Sequence, residues 1–363
     1  MAREPQVIPF AEAMPSDDFE VEEIGNEEVL IGDPELDNVE EKETGFDENI
    51  AEELDEKELN RVASELIKNY ETDKEARSEW EYRYKQGLET LDPNGGQSEE
   101  ENQRATRGLS TVVHPMIAEA ATQFNAKAIA ELYPSGGPVK TVIVGEPSEA
   151  KRVKDYMNYQ ITQEMPEYFP DLDQMLFQLP LVGHTFKKVW WDANLDRQCS
   201  QFVKAEDFIV SPESKDLYTS SRYTHVIRMP RNDFNKYVKT GYYLPSKYMS
   251  DDIDPSGDIG SEIEGVDPYN SDATDEVMTL LEIHCYQTFD DIDGAEDDDE
   301  DNVIALPYVV TIDYDAETIV SIRRNWNEED ERQIKRDWFV SYKFLPGTGF
   351  YGFGLYHMIG GLG

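Results

Sequence analysis

The chain has few cysteines and no long apolar run. Of its 363 residues only Cys199 and Cys285 are cysteines, too few for a disulfide framework and typical of a protein made in a reducing cytoplasm. No run of about 18 apolar residues occurs, so the sequence predicts no membrane span. The N-terminal segment lacks the basic end and apolar core of a signal peptide. We therefore expect a soluble protein that is synthesised in a cytoplasm.

Basic residues are also scarce. Lys and Arg number 33 against 77 Asp and Glu, which gives a formal net charge of -44. Tight binding to the DNA backbone requires Lys and Arg to displace condensed counterions, so this charge argues against it. Two interpretations remain open: the protein avoids nucleic acid, or it guides DNA without gripping it.

Signatures of catalysis and of metal binding are missing. There is no Gly-x-Ser-x-Gly nucleophile motif, and the five histidines are scattered. His284 and Cys285 are adjacent in a predicted strand, which points them to opposite faces. The acidic segment from Asp290 to Gly294 resembles the start of an EF-hand loop, but loop position one then falls on Phe289, so the register fails. We predict no catalytic residue, no metal site and no cofactor, and hence a protein that is not an enzyme.

A folded core is nevertheless expected. The chain is 39% hydrophobic and 11% aromatic, which is too rich in large apolar residues for a fully disordered protein. Composition and periodicity divide it into an acidic disordered tail (1–55), a helical region (56–140), an α+β domain (141–345) and a Gly-rich turn that leads into a helix (346–363).

Helices and strands are predicted in mixed order. Helices are predicted over 56–91, 115–132, 148–165, 171–181 and 231–239, and strands over 141–144, 186–191, 201–203, 208–210, 224–227, 277–286, 305–312, 319–322 and 338–342. The polar stretches 250–276 and 290–302 are predicted loops. Since the elements do not follow a strict βαβ alternation, the fold class predicted is α+β.

One phosphate-loop pattern occurs near the end of the chain. The segment from Gly347 to Gly352 matches G-x-G-x-x-G and follows a predicted strand. Its variable positions hold the bulky residues Phe350 and Tyr351, which would crowd a pyrophosphate, and no Lys follows at Walker-A spacing. A structural strand-to-helix turn is therefore the favoured interpretation, with nucleotide binding as the alternative.

A basic cluster precedes that pattern. It consists of Arg323, Arg324, Arg332, Lys335 and Arg336, next to Trp326 and Trp338. Arginine with aromatic residues can stack on nucleic acid or on a partner protein, but the acidic residues among them bring the local charge close to zero. This favours surface or intersubunit pairing, with Arg323, Arg324 and Trp326 as the candidate intersubunit residues.

The segment from Trp338 to Gly361, WFVSYKFLPGTGFYGFGLYHMIGG, resembles a known junction. In podovirus-type portal proteins of tailed bacteriophages an aromatic-rich strand turns through glycines into the first long helix. Further segments are similar to the same family in the same order, namely 80–88, 113–120, 132–140 and 183–192. The signature residues are Trp338, Tyr342, Lys343, Phe344, Pro346, Gly347, Gly349, Phe350, Tyr351, Gly352 and Gly354.

This resemblance implies a structural role in the virion. Portal proteins form a homo-oligomeric ring, a dodecamer, at one capsid vertex, which is assembled in the bacterial cytoplasm. Duplex DNA passes through the ring without sequence-specific binding, and the partners are the large terminase and the scaffold, capsid, tail and head-completion proteins. By this resemblance the chain corresponds to the wing domain and stops at Gly363 where the stem helix begins, without stem, clip or crown. The alternative is another head-to-tail adaptor or assembly protein.

Overall fold

The fold mixes helices with antiparallel strands, and the strands form two sheets. This confirms the predicted α+β class. The computed structural model describes residues 45–89, 116–141, 147–192, 195–246, 277–289, 292 and 304–359. Among these residues no helix is long and apolar enough to cross a membrane.

The elements are numbered in chain order. The helices are α1 (Glu56–Ala76), α2 (Ser78–Glu89), α3 (Met116–Leu132), α4 (Pro147–Tyr159), α5 (Tyr168–Val182), α6 (Arg231–Lys239) and α7 (Leu355–Ile359). The strands are β1 (His184–Asp192), β2 (Arg197–Val203), β3 (Phe208–Val210), β4 (Arg222–Pro230), β5 (Val277–Gln287), β6 (Leu306–Asp313), β7 (Thr318–Arg324) and β8 (Phe339–Lys343).

The larger sheet has five antiparallel strands in the order β3-β4-β5-β6-β7. Side chains alternate between its faces, and one face is apolar, with Leu281 and Ile283 fully buried. Helix α1 packs against this face through Val62, Leu66 and Tyr70, which recur at helical spacing. The spacing of these residues thus gives α1 one apolar face.

The smaller sheet has three strands in the order β2-β1-β8. Strand β1 pairs with both neighbours, and Phe186 lies opposite Val203 on β2 and Ser341 on β8. Phe186 is fully buried in a second, aromatic core, with its ring centroid 4.2 Å from that of Phe208. Helices α2 and α5 and the segment that follows β8 complete this core.

The predicted disordered tail is wrong for residues 45–55, which belong to the fold. Asn49 accepts hydrogen bonds from the backbone N–H groups of Ala51 (3.1 Å) and Ile322 (2.9 Å), and its side-chain amide donates to the carbonyl of Val320 (3.1 Å). Ile50 is fully buried beside it. One buried isoleucine and one bridging amide therefore anchor a segment whose composition alone predicts disorder.

The helix predicted over 56–91 is two helices, separated at Arg77. The buried guanidinium of Arg77 donates to the carbonyls of Ala205 (2.9 Å) and Phe208 (2.8 Å) and pairs with Glu81 at 2.6 Å. The break sends the apolar face of α1 to the first core and Tyr84 of α2 to the second. No glycine or proline marks this position, so the break has a tertiary cause.

The other predicted elements recur with small shifts in their bounds. The β1–β2 and β5–β6 pairs are antiparallel neighbours, and α6 ends before Gly241, whose φ is +72°. Outside the described residues lie residues 1–44 of the predicted tail, the last two residues of the helix predicted over 56–91, most of the strand 141–144, the loop 250–276 and nearly all of the loop 290–302.

Candidate functional site

Part of the face of the larger sheet that points away from α1 is polar and yet buried, beside an apolar part that contains Met278 and Leu280. Strand register places His225, Glu282, Thr311 and Ser321 side by side in one row across β4, β5, β6 and β7. All four are buried. Burying polar groups costs free energy unless they find hydrogen-bond partners, so this row is the most unusual feature of the fold.

A cavity of about 610 Å³ lies against this row. The smaller sheet contributes Lys188 and Trp190 to its lining, and Trp338 lines it just ahead of β8. We call this cavity the intersheet cleft. Its volume falls in the range of small-molecule sites, about 300–1,000 Å³.

Glu282 is the centre of the cleft's charge network. Its carboxylate oxygens lie 2.7 and 2.5 Å from Nζ of Lys188, and Oε1 lies 3.1 Å from Nε2 of His284 and 3.8 Å from Nδ1 of His225. Burial raises the pKa of Glu282, but Lys188 and the two histidines together hold it well below its ordinary value. The carboxylate is therefore ionised and joins the two sheets through a buried ion pair.

The two histidines are neutral at physiological pH, because burial lowers the pKa of His225 and of His284 despite the nearby carboxylate. Nδ1 of His284 has no hydrogen-bond partner among the described residues. Within the same ranges no group of three or more His, Cys, Asp or Glu side chains is arranged to hold a metal ion. The cleft thus offers neutral imidazoles and a paired carboxylate to a ligand.

The sequence did not reveal this cluster, since its members are distant along the chain. Lys188 and Glu282 are 94 residues apart. The one local signal is that Glu282 and His284 alternate in an otherwise apolar strand and so share a face. The prediction that His284 and Cys285 point to opposite faces is confirmed, because Cys285 packs in the core beneath α1.

Residues 344–354, between β8 and α7, form a compact segment that we call the C-terminal turn. It is closed by two backbone hydrogen bonds between Leu345 and Phe353, of 3.2 and 2.9 Å. A Cβ atom at Gly352 would come within 3.0 Å of the Gly183 carbonyl oxygen, and one at Gly354 within 3.0 Å of that of Leu181. These two glycines let the turn lie directly on the end of α5.

The first half of the glycine pattern does not form a phosphate cradle. A Cβ atom at Gly347 would come within 3.0 Å of the carbonyl oxygen of Tyr351, so the turn's own backbone fills that space. Gly349 faces open space. The geometry favours the structural turn.

Most of the aromatic signature residues pack inside this chain. Phe350 is 6% exposed, and the ring of Tyr351 stacks on Trp80 with centroids 4.5 Å apart. Phe344 meets Phe124 edge to face at 5.4 Å. These contacts join the C-terminal turn to α2 and α3.

The remaining signature residues lie along β8 and its flanks. Trp338 donates from Nε1 to Oδ1 of Asn325 at 2.7 Å. Tyr342 packs against the α3–α5 cluster, Nζ of Lys343 lies 5.0 Å from the Phe350 ring, and Pro346 is exposed.

The basic cluster is divided by the fold. The intersubunit contact predicted for Trp326 is wrong, because this side chain is 3% exposed and packs edge-on against Phe46 and Tyr308. Arg324 donates to the carbonyl of Phe46, and Arg323 donates to the carbonyl of Tyr242. Arg323, Arg324 and Arg336 line the intersheet cleft, whereas Arg332 and Lys335 do not.

His184, at the start of β1, makes stability depend on pH. It is fully buried, its ring lies 4.4 Å from that of Phe186 and 5.1 Å from that of Phe350, and neither ring nitrogen has a partner among the residues described. Burial, with a smaller contribution from Lys343, lowers the pKa of His184 to about 3. The unfolded chain, with a histidine pKa of about 6.5, therefore binds one more proton than the folded chain between these values.

We expect this difference to appear in the free energy of unfolding. As pH falls from about 6 to 4, His184 should remove about 1.4 kcal/mol of stability per pH unit, and His184→Phe should reduce the pH slope by that amount. Urea unfolding at several pH values measures both slopes. Equal slopes for the wild type and the variant would show that the buried imidazole does not control this pH response.

No protein-family model matches this chain, and no curated protein sequence matches it either. Function is therefore inferred from the chain's own features, above all the intersheet cleft and the C-terminal turn.

Proposed function

We propose that this chain is a structural subunit of a portal-type ring at the capsid vertex of a tailed bacteriophage. The observation that carries this proposal is the junction at the C-terminal turn. An aromatic strand, β8, passes through the glycines into a helix that begins at Leu355. This is the order of elements in the portal junction that the sequence resembles.

The contacts of the junction support a role in orienting the helix. Tyr356 donates from its hydroxyl to Oε1 of Gln86 at 2.7 Å, and the N–H of Gly354 donates to Nδ1 of His357 at 3.1 Å. Gly354 in turn lies against the end of α5. A wing domain that carries a stem helix must fix the direction of that helix, and contacts of this kind with two other helices support that role.

Exposed apolar side chains on α4 support assembly with a second copy. Val153, Tyr156 and Met157, three and four residues apart, share one face of the helix and are 47%, 59% and 42% exposed. None of the described α4 side chains is buried. Short isolated helices are marginal in water, so α4 gains stability if its apolar face is covered. In a ring the neighbouring subunit covers it.

The charge of the chain fits passage of DNA better than binding of DNA. With a net charge of -44, the subunit repels phosphates and leaves them hydrated. Attraction at every step would act as friction on a moving duplex. The proposed partners are accordingly proteins: the large terminase, the scaffold and capsid proteins, and the tail and head-completion proteins.

Ring assembly should depend on the α4 face. We expect Met157→Asp in the complete gene product to raise the concentration needed for half-assembly at least about tenfold, because a charge would be buried between subunits. Size-exclusion chromatography with light scattering measures this. Tyr218→Asp is the matched control, because Tyr218 is 71% exposed and belongs to a loop rather than to α4. Unchanged assembly of both Met157→Asp and Tyr156→Asp would exclude this face as the interface.

A further inference from the structure

The intersheet cleft is basic although the chain is strongly acidic. Its charged lining residues are Lys188, Lys204, Arg228, Arg323, Arg324 and Arg336 against Asp47, Asp192, Asp207 and Glu282. Six basic residues thus face four acidic ones, in a protein whose net charge is -44. A cavity whose lining is positively charged, in a protein whose net charge is negative, favours an anionic ligand.

The same cleft is rich in aromatic rings. Three of the five tryptophans line it, together with Tyr242. The guanidinium of Arg323 lies 3.9 Å from the centroid of the Tyr242 ring, and Nζ of Lys188 lies 5.6 Å from the centroid of Trp190 and 5.9 Å from that of Trp338. Flat rings next to cations are the combination with which proteins hold a base and its phosphate.

Several buried polar atoms on the cleft wall lack a hydrogen-bond partner among the described residues. Oγ of Ser321 and Nδ1 of His284 belong to residues that are 1% and 2% exposed, and neither has a hydrogen-bond partner within the described part of the chain. Nε of Arg323 is likewise buried without a partner in that part. Because a buried polar atom without a partner costs free energy, these atoms favour a polar ligand in the cleft.

We propose that the intersheet cleft binds a mononucleotide. The base stacks on the indole rings of Trp190 and Trp338, and the phosphate accepts hydrogen bonds from the guanidinium groups of Arg323 and Arg336. Arg323 offers its unpartnered Nε–H, since its two other guanidinium nitrogens donate to the carbonyls of Asp47 and Tyr242. The planar guanidinium of Arg336 matches the oxygens of a phosphate in a bidentate geometry. A cavity of about 610 Å³ is large enough for a ligand of this size.

This site is separate from the glycine pattern and independent of the proposed ring. Arg323 comes from β7 and Trp190 from β1, whereas the C-terminal turn lies beyond β8. The proposal concerns binding alone and includes no bond cleavage.

Three probes test the proposal in titrations that follow tryptophan fluorescence of the purified protein: AMP, adenosine and inorganic phosphate. We expect saturable quenching by AMP, with adenosine and phosphate each binding at least about tenfold more weakly, since each lacks one half of the contacts. If phosphate binds as tightly as AMP, the cleft is a simple anion site and the proposal is wrong. Absence of any saturable change also overturns it.

Matched variants locate the site. Arg323→Gln should weaken AMP binding at least about tenfold, whereas Arg332→Gln, from the same basic cluster but outside the cleft, should leave it unchanged. Arg336→Gln tests the phosphate contact without removing the hydrogen bond that Arg323 donates to Tyr242. If Arg323→Gln and Arg336→Gln both bind AMP as the wild type does, the nucleotide lies elsewhere and the proposal fails.

Discussion

Replacing Gly352 by alanine should destabilise the fold by about 2–3 kcal/mol, whereas the same change at Gly349 should be tolerated. The added methyl group at Gly352 meets two backbone oxygens, those of Gly183 and Leu345, both within 3.0 Å. Backbone atoms held in the hydrogen-bonded C-terminal turn and at a helix end cannot move aside as a flexible side chain could. The expected cost is therefore near the upper end of the range for overpacking.

Gly349 provides the control for this experiment, since a Cβ atom there meets nothing within 4 Å. Urea unfolding of the two variants measures the difference in free energy. A phosphate loop would respond differently: both substitutions would impair nucleotide binding and neither would need to affect stability. Equal stability of the two variants would therefore contradict the close packing of the C-terminal turn on α5.

Replacing Arg77 by methionine should destabilise the fold by about 3–5 kcal/mol, the range expected when one partner of a buried charged network is removed. Arg77 is 5% exposed and donates hydrogen bonds to the carbonyls of Ala205, Glu206 and Phe208. Methionine retains much of the apolar stem but leaves these buried carbonyls without their donor. Each lost partner adds to the cost, since buried acceptors cannot recover a bond to water.

Arg83→Met is the matched control for Arg77→Met. Arg83 lies on α2 and pairs with Glu79 four residues away, but its side chain is 50% exposed. Exposed pairs of this kind contribute little, so we expect a change within about 0.5 kcal/mol. Similar losses in both variants would mean that Arg77 does not anchor the helix break.

Local patterns predicted the elements of the fold well, because local physics determines them. Helix α1 follows from the spacing of Val62, Leu66 and Tyr70, and the β5–β6 hairpin follows from two apolar runs. The end of α6 follows from Gly241, which adopts a positive φ. In each case a few neighbouring residues are sufficient to predict the element or its end.

Features set by distant residues were not predictable in this way. The division of the first helix at Arg77 depends on carbonyls 128 and 131 residues further along the chain. The anchoring of residues 45–55 depends on the bonds of Asn49 to β7. The intersheet cleft depends on the packing of the two sheets against each other, so neither the sequence around Lys188 nor that around Glu282 predicts their pairing. The basic cluster near Arg323 was visible, but which of its members face the cleft was not.

Single-particle electron microscopy of the complete gene product tests the central claim most directly. The proposed function predicts closed annular particles that are seen end-on with an open axial channel, formed by many copies of one subunit. Particles that never close into an annulus, whether monomers, compact dimers or open filaments, would contradict it.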